Sequence, residues 1–321
     1  MRYKSRGRRD DRLNFLSFPL IRVYLAILHP TSAVAMSKQL VWVITGTSSG
    51  LGRDLTIAAL KRGDKVIATG RARSISKLKD LEEQGANILE LDVTSPIETL
   101  HEVTKKAVAI YGQVDVLVNN AGYILVGAME ENTPQETFDQ FNTNVFGALN
   151  VTRAFLPYMR EKRTGTIVWM GSLGGWKSTP YAGLYCTTKW ALRGISETLH
   201  EEISPLGLRS ICIDFGYFRT SFLQSEQRAP KVERISDYRK IGQRVEAALQ
   251  AYNGKQPGDP KKGVELVLDL VRGEGEAAGR PLPVGIAFGS DAYNVAKTAS
   301  EQALARLEEW KDVSFSTDFS S

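Results

Sequence analysis

The chain has 321 residues, 42% of them hydrophobic and 24% charged, proportions that suit one globular domain of moderate size with short appendages. Its formal net charge of +5 is concentrated in residues 1–35, where seven arginines and lysines face only Asp10 and Asp11, so the remainder is neutral and composition gives no ground for a nucleic-acid partner. Two cysteines, Cys186 and Cys212, exclude a disulfide framework and point to a reducing, cytoplasmic compartment; with three scattered histidines they form no ligand pattern, and no metal is expected.

Residues 1–35 differ from the rest. MRYKSRGRRDDR is polar and basic, and LNFLSFPLIRVYLAIL is apolar but interrupted by Pro19 and Arg22, so it does not make a membrane span. Two targeting readings stand: an arginine-rich mitochondrial presequence, opposed by Asp10 and Asp11, and a secretory signal ending at Ala33, Val34 and Ala35, opposed by Arg22. The plainer reading is a disordered tail, or an upstream extension of a chain that starts at Met36, with the folded domain over residues 36–321.

From Leu40 the pattern turns regular. LVWVIT is a buried strand, and Leu51, Leu55, Ala58 and Ala59 then recur at helical spacing until Gly63. KVIAT is a second strand, SISKLKDLEEQ a short helix and NILELDV a third strand. Ser95 with Glu98 predicts a capping box, Pro96 the first helical position, and Leu100, Val103, Ala107 and Val108 the apolar face of a helix ended by Gly112. VDVLV is the fourth strand, Thr133 and Pro134 open a helix, TIVWM is the fifth strand, a long helix starts near Tyr181, and LRSICID is the sixth strand. Strands alternating with helices of this length predict a parallel sheet covered on both faces, a doubly wound α/β fold. After Gly216 the rhythm breaks: residues 218–258 read as irregular, then Asp259 caps a helix from Pro260 with Val264, Val267, Leu268 and Val271 on one face, and LPVGIAF is a seventh strand. An excursion over residues 216–260 that leaves the sheet and returns to it is placed to border a substrate.

Two segments carry chemistry. TGTSSGLG joins the first strand to the first helix, where Gly46, Gly50 and Gly52 allow a tight turn and let backbone N–H groups approach a pyrophosphate. A tyrosine four residues before a lysine shares a helix face with it, and the chain has this twice, at Tyr158 with Lys162 and at Tyr185 with Lys189. The first pair ends a helix ahead of TIVWM, at the sheet edge away from the cleft. The second follows the C-terminal end of that strand, where open α/β sheets bind ligands, and Ser172 comes from the same strand end. Reduction of a carbonyl needs a proton donor; a tyrosine of ordinary pKa about 10 becomes suited to neutral pH when a cation stabilises its phenolate. Lys189 supplies the cation, and the Ser172 hydroxyl a hydrogen bond to the substrate oxygen. NNAG, from Asn119 to Gly122, closes the fourth strand at the same rim, and NTNVFG brings Asn144 on the next helix.

Taken together, these motifs resemble the classical short-chain dehydrogenase/reductase pattern across residues 38–223. The resemblance implies Tyr185 as general acid/base, Lys189 as its pKa modifier and ribose ligand, Ser172 as substrate positioner and Asn144 as holder of a relay water. For the cofactor it implies contacts from Gly46, Ser48, Gly50, Leu51 and Gly52. It also implies Asp92 at the adenine, Asn119 and Ala121 along the fourth-strand rim, and Phe218 and Thr220 near the nicotinamide or phosphate. A homo-dimer or homo-tetramer through the long helices is also implied. The chain departs from the family at Phe215 and Gly216, where Pro-Gly is common.

Roughly 20 residues past the glycine turn the sequence reads ATGRARS, with no carboxylate to accept a ribose hydroxyl; Arg71, supported by Arg73, suits the 2′-phosphate of NADP(H). The expected substrate is a small to medium apolar carbonyl or alcohol, since Tyr123, Trp176, Tyr181, Phe218 and Phe222 fall in segments bordering the site. The alternative function is a dinucleotide-binding sensor of the same fold without turnover. Cys186, beside Tyr185, reads as a packed thiol for want of an activating partner.

Overall fold

The computed structural model describes residues 38–223 and 233–319, so the expected N-terminal extension and part of the excursion lie outside the described residues. In chain order the elements are β1 (Val41–Ile44), α1 (Gly50–Lys61), β2 (Lys65–Gly70), α2 (Lys79–Glu83), β3 (Asn87–Glu90), α3 (Ile97–Tyr111) and β4 (Val116–Asn119). There follow α4 (Pro134–Phe141), α5 (Ala148–Lys162), β5 (Gly165–Ser172), α6 (Gly183–Ile203), β6 (Leu208–Phe215), α7 (Arg239–Tyr252), α8 (Pro260–Arg272), β7 (Gly285–Phe288), α9 (Ser290–Glu309) and α10 (Lys311–Phe315). The seven strands form one parallel sheet in the order β3-β2-β1-β4-β5-β6-β7. Winding reverses between β1 and β4, and such a switch opens a crevice at the C-terminal strand ends.

Strand periodicity divides the core. In β1, Trp42 and Ile44 join Leu55 and Ala59 of α1 and Val267 and Leu268 of α8 on one face. Val41 and Val43 join Ala107 of α3, Phe155 of α5 and Leu199 of α6 on the other. The fold is therefore doubly wound α/β, as the alternating pattern predicts. Phe155 is wholly buried, and cutting such a side chain back to alanine costs about 3 to 5 kcal/mol.

Helix starts follow side-chain chemistry in two of three expected places. Thr133 and Glu136 make a full capping box with Pro134 next, and Asp259 accepts the N–H of Lys261 at 2.9 Å ahead of Pro260. Ser95 does not cap α3. Pro96 holds an extended ψ of 150° at the cap position itself, and Asp92, not Ser95, organises the turn by accepting the Thr94 N–H at 3.0 Å and its hydroxyl at 2.7 Å. The segment read as one short helix is a 3₁₀ stretch over Ala72–Leu78 followed by α2.

The excursion is not irregular throughout. Within it α7 has Val245 and Leu249 one turn apart, and a bridge between Phe218 and Gly258 closes its base. The long α9 is not signalled by periodicity, because beyond Ala292 it buries almost nothing. Among the described residues no helix is long and apolar enough to cross a membrane.

Candidate active site

A cavity of about 910 Å³ lies over the C-terminal strand ends, running from the glycine turn past β4 and β5 to α7. Its floor at one end is the turn after β1. Gly46 has φ +70°, and a Cβ there would stand 2.9 Å from the Ala121 Cα, so only glycine lets the turn lie against the β4 rim. Asn120 fastens the two together: its side-chain amide donates to the Thr45 carbonyl at 2.8 Å and to that of Gly46 at 3.0 Å. The Thr45 hydroxyl in turn accepts the N–H groups of Asn120 and Ala121, each at 3.0 Å. Asn120 escapes the sequence reading, although the repeated asparagine of NNAG is its signal.

Of the residues expected at the cofactor, Gly46, Ser48, Gly50, Leu51 and Ala121 line the cavity, whereas Gly52 and Asn119 do not. Gly52 faces the Asn120 side chain, which a Cβ would strike. The Asn119 amide is buried and donates to the Thr152 hydroxyl of α5 at 2.8 Å, so its side chain ties the sheet to a helix. Thr220 stands over the turn, its Cβ 4.0 Å from where a Cβ on Gly50 would lie. Beyond the end of β2, Arg71, Arg73, Ser74, Lys77 and Asp92 line the far end. Burial lowers the pKa of Arg71, with Arg73 adding to that effect and Asp92 opposing it.

At the other end Ser172, Tyr185 and Lys189 come together. Ser172 ends β5, its hydroxyl accepts the Gly174 N–H at 3.1 Å, and it lies close enough to the Tyr185 phenol to pull that group's pKa down. Tyr185 opens partly onto the cavity while its hydroxyl is enclosed by protein, and burial raises its pKa against the pull of Ser172. Lys189, one turn along α6, donates from Nζ to the Met170 carbonyl at 2.6 Å and lies 5.5 Å from the Tyr185 ring centroid. Burial pulls its amine down to about 8, opposed by Cys212 and Asp214.

Asn144 is buried behind this group. It sits in a π-helical turn, Asn142–Gly147, between α4 and α5, where the sequence alone suggests ordinary helix. Its amide donates to the Tyr123 carbonyl at 3.0 Å and to the Thr188 hydroxyl at 3.2 Å, while its oxygen accepts the Tyr123 N–H at 3.1 Å.

Four of the five expected aromatics border the cavity: Tyr123, Tyr181, Phe218 and Phe222. Trp176 instead turns away and donates its indole N–H to Asp214 at 2.7 Å. Ile124, Val126, Tyr217, Val245 and Leu249 also line the cavity, and α7 thus forms part of its wall. Phe215, standing where proline is common, packs edge-on against Phe218 and Phe288 at 5.1 and 5.2 Å and continues the β6 pairing to the level of Ser172. Cys186 lies in the first turn of α6, where a helix N-terminus does exist, yet burial raises its thiol pKa and it remains protonated. The other tyrosine–lysine pair is elsewhere: Lys162 is ion-paired to Asp115 at the N-terminal edge of the sheet, and Tyr158 is exposed.

Comparison with known proteins gives a consistent picture. A family model described as short chain dehydrogenase matches residues 40–231. The chain is 31% identical over 279 residues to oxidoreductase BOA17 of Botryotinia fuckeliana, covering 86% of this chain and 98% of that one. Among solved structures it is similar to a short-chain dehydrogenase from Streptomyces avermitilis, with 37% identity, a TM-score of 0.78, and coverage of 88% of this chain and 100% of that one. It is also similar to a single-substitution variant of the actinorhodin polyketide ketoreductase solved with NADPH, with 26% identity, a TM-score of 0.66, and coverage of 82% and 99%.

Proposed function

The chain belongs to the short-chain dehydrogenases, a family of oxidoreductases, and from that premise we propose that it is an NADP(H)-dependent enzyme interconverting a carbonyl and an alcohol on a small to medium apolar substrate. The observation that carries this reading is the meeting of Ser172, Tyr185 and Lys189 in one cavity with the glycine turn. The cavity fits a dinucleotide: the positive φ of Gly46 and its closeness to Ala121 leave the turn bare of side chains, and cations stand at the far end. A nicotinamide dinucleotide, when bound, supplies or accepts the hydride.

The protein's own residues handle the proton. In reduction the Ser172 hydroxyl holds the substrate oxygen beside the Tyr185 phenol, which donates its proton as charge develops there. In the ligand-free protein burial raises the Tyr185 pKa, so the phenol is protonated at neutral pH but its phenolate is disfavoured. Lys189, still mainly charged at that pH, stabilises the phenolate left behind. In oxidation the same groups act in reverse. Asn144, whose amide donates to the Tyr123 carbonyl and the Thr188 hydroxyl and whose side chain does not line the cavity, ties the loop after β4 to α6.

NADP(H) is preferred on the strength of Arg71, Arg73 and Lys77 and the absence of a carboxylate at the end of β2. The ketoreductase solved with NADPH supports the same choice. The apolar substrate follows from Ile124, Val126, Phe222, Val245 and Leu249, with no charged side chain among them. The test is consumption of NADPH and NADH with 2-octanone, acetophenone and benzaldehyde, set against charged 2-oxo acids. Tyr185→Phe is expected to lower turnover by about a thousandfold with cofactor binding retained, and Tyr158→Phe to leave turnover unchanged. Near-normal turnover in Tyr185→Phe overturns the mechanism, and turnover confined to the oxo acids overturns the substrate class.

A further inference from the structure

Resting on the reading of Ser172 above, we propose that Asp214 is a positioning residue, which fixes Ser172 against Tyr185 through the backbone of the β5-to-α6 loop. Asp214 lies on β6 directly opposite Gly171 and is 2% exposed. Its Oδ1 accepts the Ser172 backbone N–H at 3.2 Å and the Cys212 thiol at 3.5 Å, and its Oδ2 accepts the Trp176 indole N–H at 2.7 Å and lies 3.5 Å from the Arg193 Nε. One carboxylate therefore holds both ends of the segment 172–176, at its first and its last residue.

Neighbouring residues make room for this arrangement and close it. A Cβ on Gly171 would collide with the Asp214 Oδ1, so glycine at 171 is what lets the carboxylate reach the Ser172 amide across the sheet. Arg193 lies flat on the Trp176 ring, 3.5 Å from its centroid, and donates to the Gly175 carbonyl at 2.8 Å, which locks the far end of the loop onto α6. The Ser172 hydroxyl also accepts the Gly174 N–H, so its direction depends on where residues 172–174 are held. A side chain in a catalytic group has to sit within a fraction of an ångström of its working position, and a buried, hydrogen-bonded carboxylate on a strand paired on both sides is a stiff support for it.

Such a role predicts a particular form of non-additivity. With NADPH and the ketone turned over fastest in the panel above, Asp214→Asn is expected to lower kcat by about tenfold with the KM for NADPH unchanged. In a Ser172→Ala background the same change is expected to lower kcat by less than about twofold, because there is no hydroxyl left to misplace. A merely structural role costs the same in both backgrounds, so equal losses overturn the proposal, as does an unchanged kcat in Asp214→Asn. If Asp214→Asn does not fold, Trp176→Phe carries the same cycle, since it removes one bond to the carboxylate and leaves Asp214 in place. A Ser172→Ala protein with unimpaired turnover overturns the mechanism and this proposal together, whereas a damaging Ser172→Ala with additive losses overturns this proposal alone.

Discussion

Lys189 bears a cost that its replacement by methionine should reveal. Burial takes its amine from 10.5 to about 8, and at about 1.4 kcal/mol per pKa unit the charged side chain weakens folding by about 3 kcal/mol. The unfolded chain keeps this proton up to 10.5 while the folded one releases it from about 8, so the penalty is complete below about pH 8, fades as pH rises, and is gone above 10.5. Methionine removes the penalty and also the 2.6 Å bond to the Met170 carbonyl, a loss of about 1 kcal/mol at every pH. The ligand-free Lys189→Met protein should therefore be more stable than the parent by about 2 kcal/mol near pH 7, with the gap close to zero near pH 9.5. Urea unfolding followed by tryptophan fluorescence at the two pH values measures it, and turnover should be lost at both. A variant less stable than the parent at neutral pH, or a gap that does not change with pH, refutes the argument that burial strains this lysine.

Two further outcomes are expected. Glu131, 2% exposed, accepts the Tyr181 hydroxyl at 3.0 Å and the N–H groups of Ile235 at 3.0 Å and Arg234 at 3.1 Å, and so ties down the approach to α7. Burial pushes this carboxyl up, but those donors outweigh it and hold the pKa below the ordinary value, so its support is present above the unfolded pKa and is lost as pH falls through the folded one. Glu131→Gln turns an N–H toward at least one of these donors at a cost of about 1 to 3 kcal/mol; it should raise the substrate KM several-fold and speed hydrogen exchange over residues 233–252, and unchanged exchange there argues against the tie. Arg71→Ala should lower the ratio of kcat/KM for NADPH over NADH by about tenfold or more, and an unchanged ratio removes Arg71 from cofactor choice.

Features that depend on local pattern are legible in the sequence. The β-branched runs and the amphipathic faces predict the doubly wound sheet, and the position of Tyr185 and Lys189 after β5 separates them from Tyr158 and Lys162. What the sequence conceals depends on partners distant along the chain. Trp176 reads as one more aromatic near the site, and only the pairing of β5 with β6 shows that Asp214 draws it away. Asn119 and Asn120 are neighbours of one type with opposite destinations, one bonded to α5 and the other to the glycine turn, because alternate residues at a strand end face opposite sides of the sheet. Ser95 and Glu98 have the spacing of a capping box, but Asp92 competes for the same turn and Pro96 fixes an extended cap. The helix α7 does carry a helical stripe of Ile241, Val245, Leu249 and Tyr252 that a reading of the excursion as irregular passes over, whereas α9 is hidden because it has almost no buried face.

The π-helical turn at Asn142–Gly147 also bears on what this fold can tolerate by way of insertion and deletion. A π turn is an α-helix with one residue too many, and each residue of an α-helix turns the chain by about 100°. Removing one residue from this stretch would relax it to a regular helix and rotate Asn144 relative to α5, taking its amide off the Tyr123 carbonyl and the Thr188 hydroxyl while the buried side of α5 kept its packing. The surplus residue thus acts as a phase shifter between a helix face that must meet the core and a side chain that must meet the site. Chain length at this point is as much a part of the site as the asparagine itself.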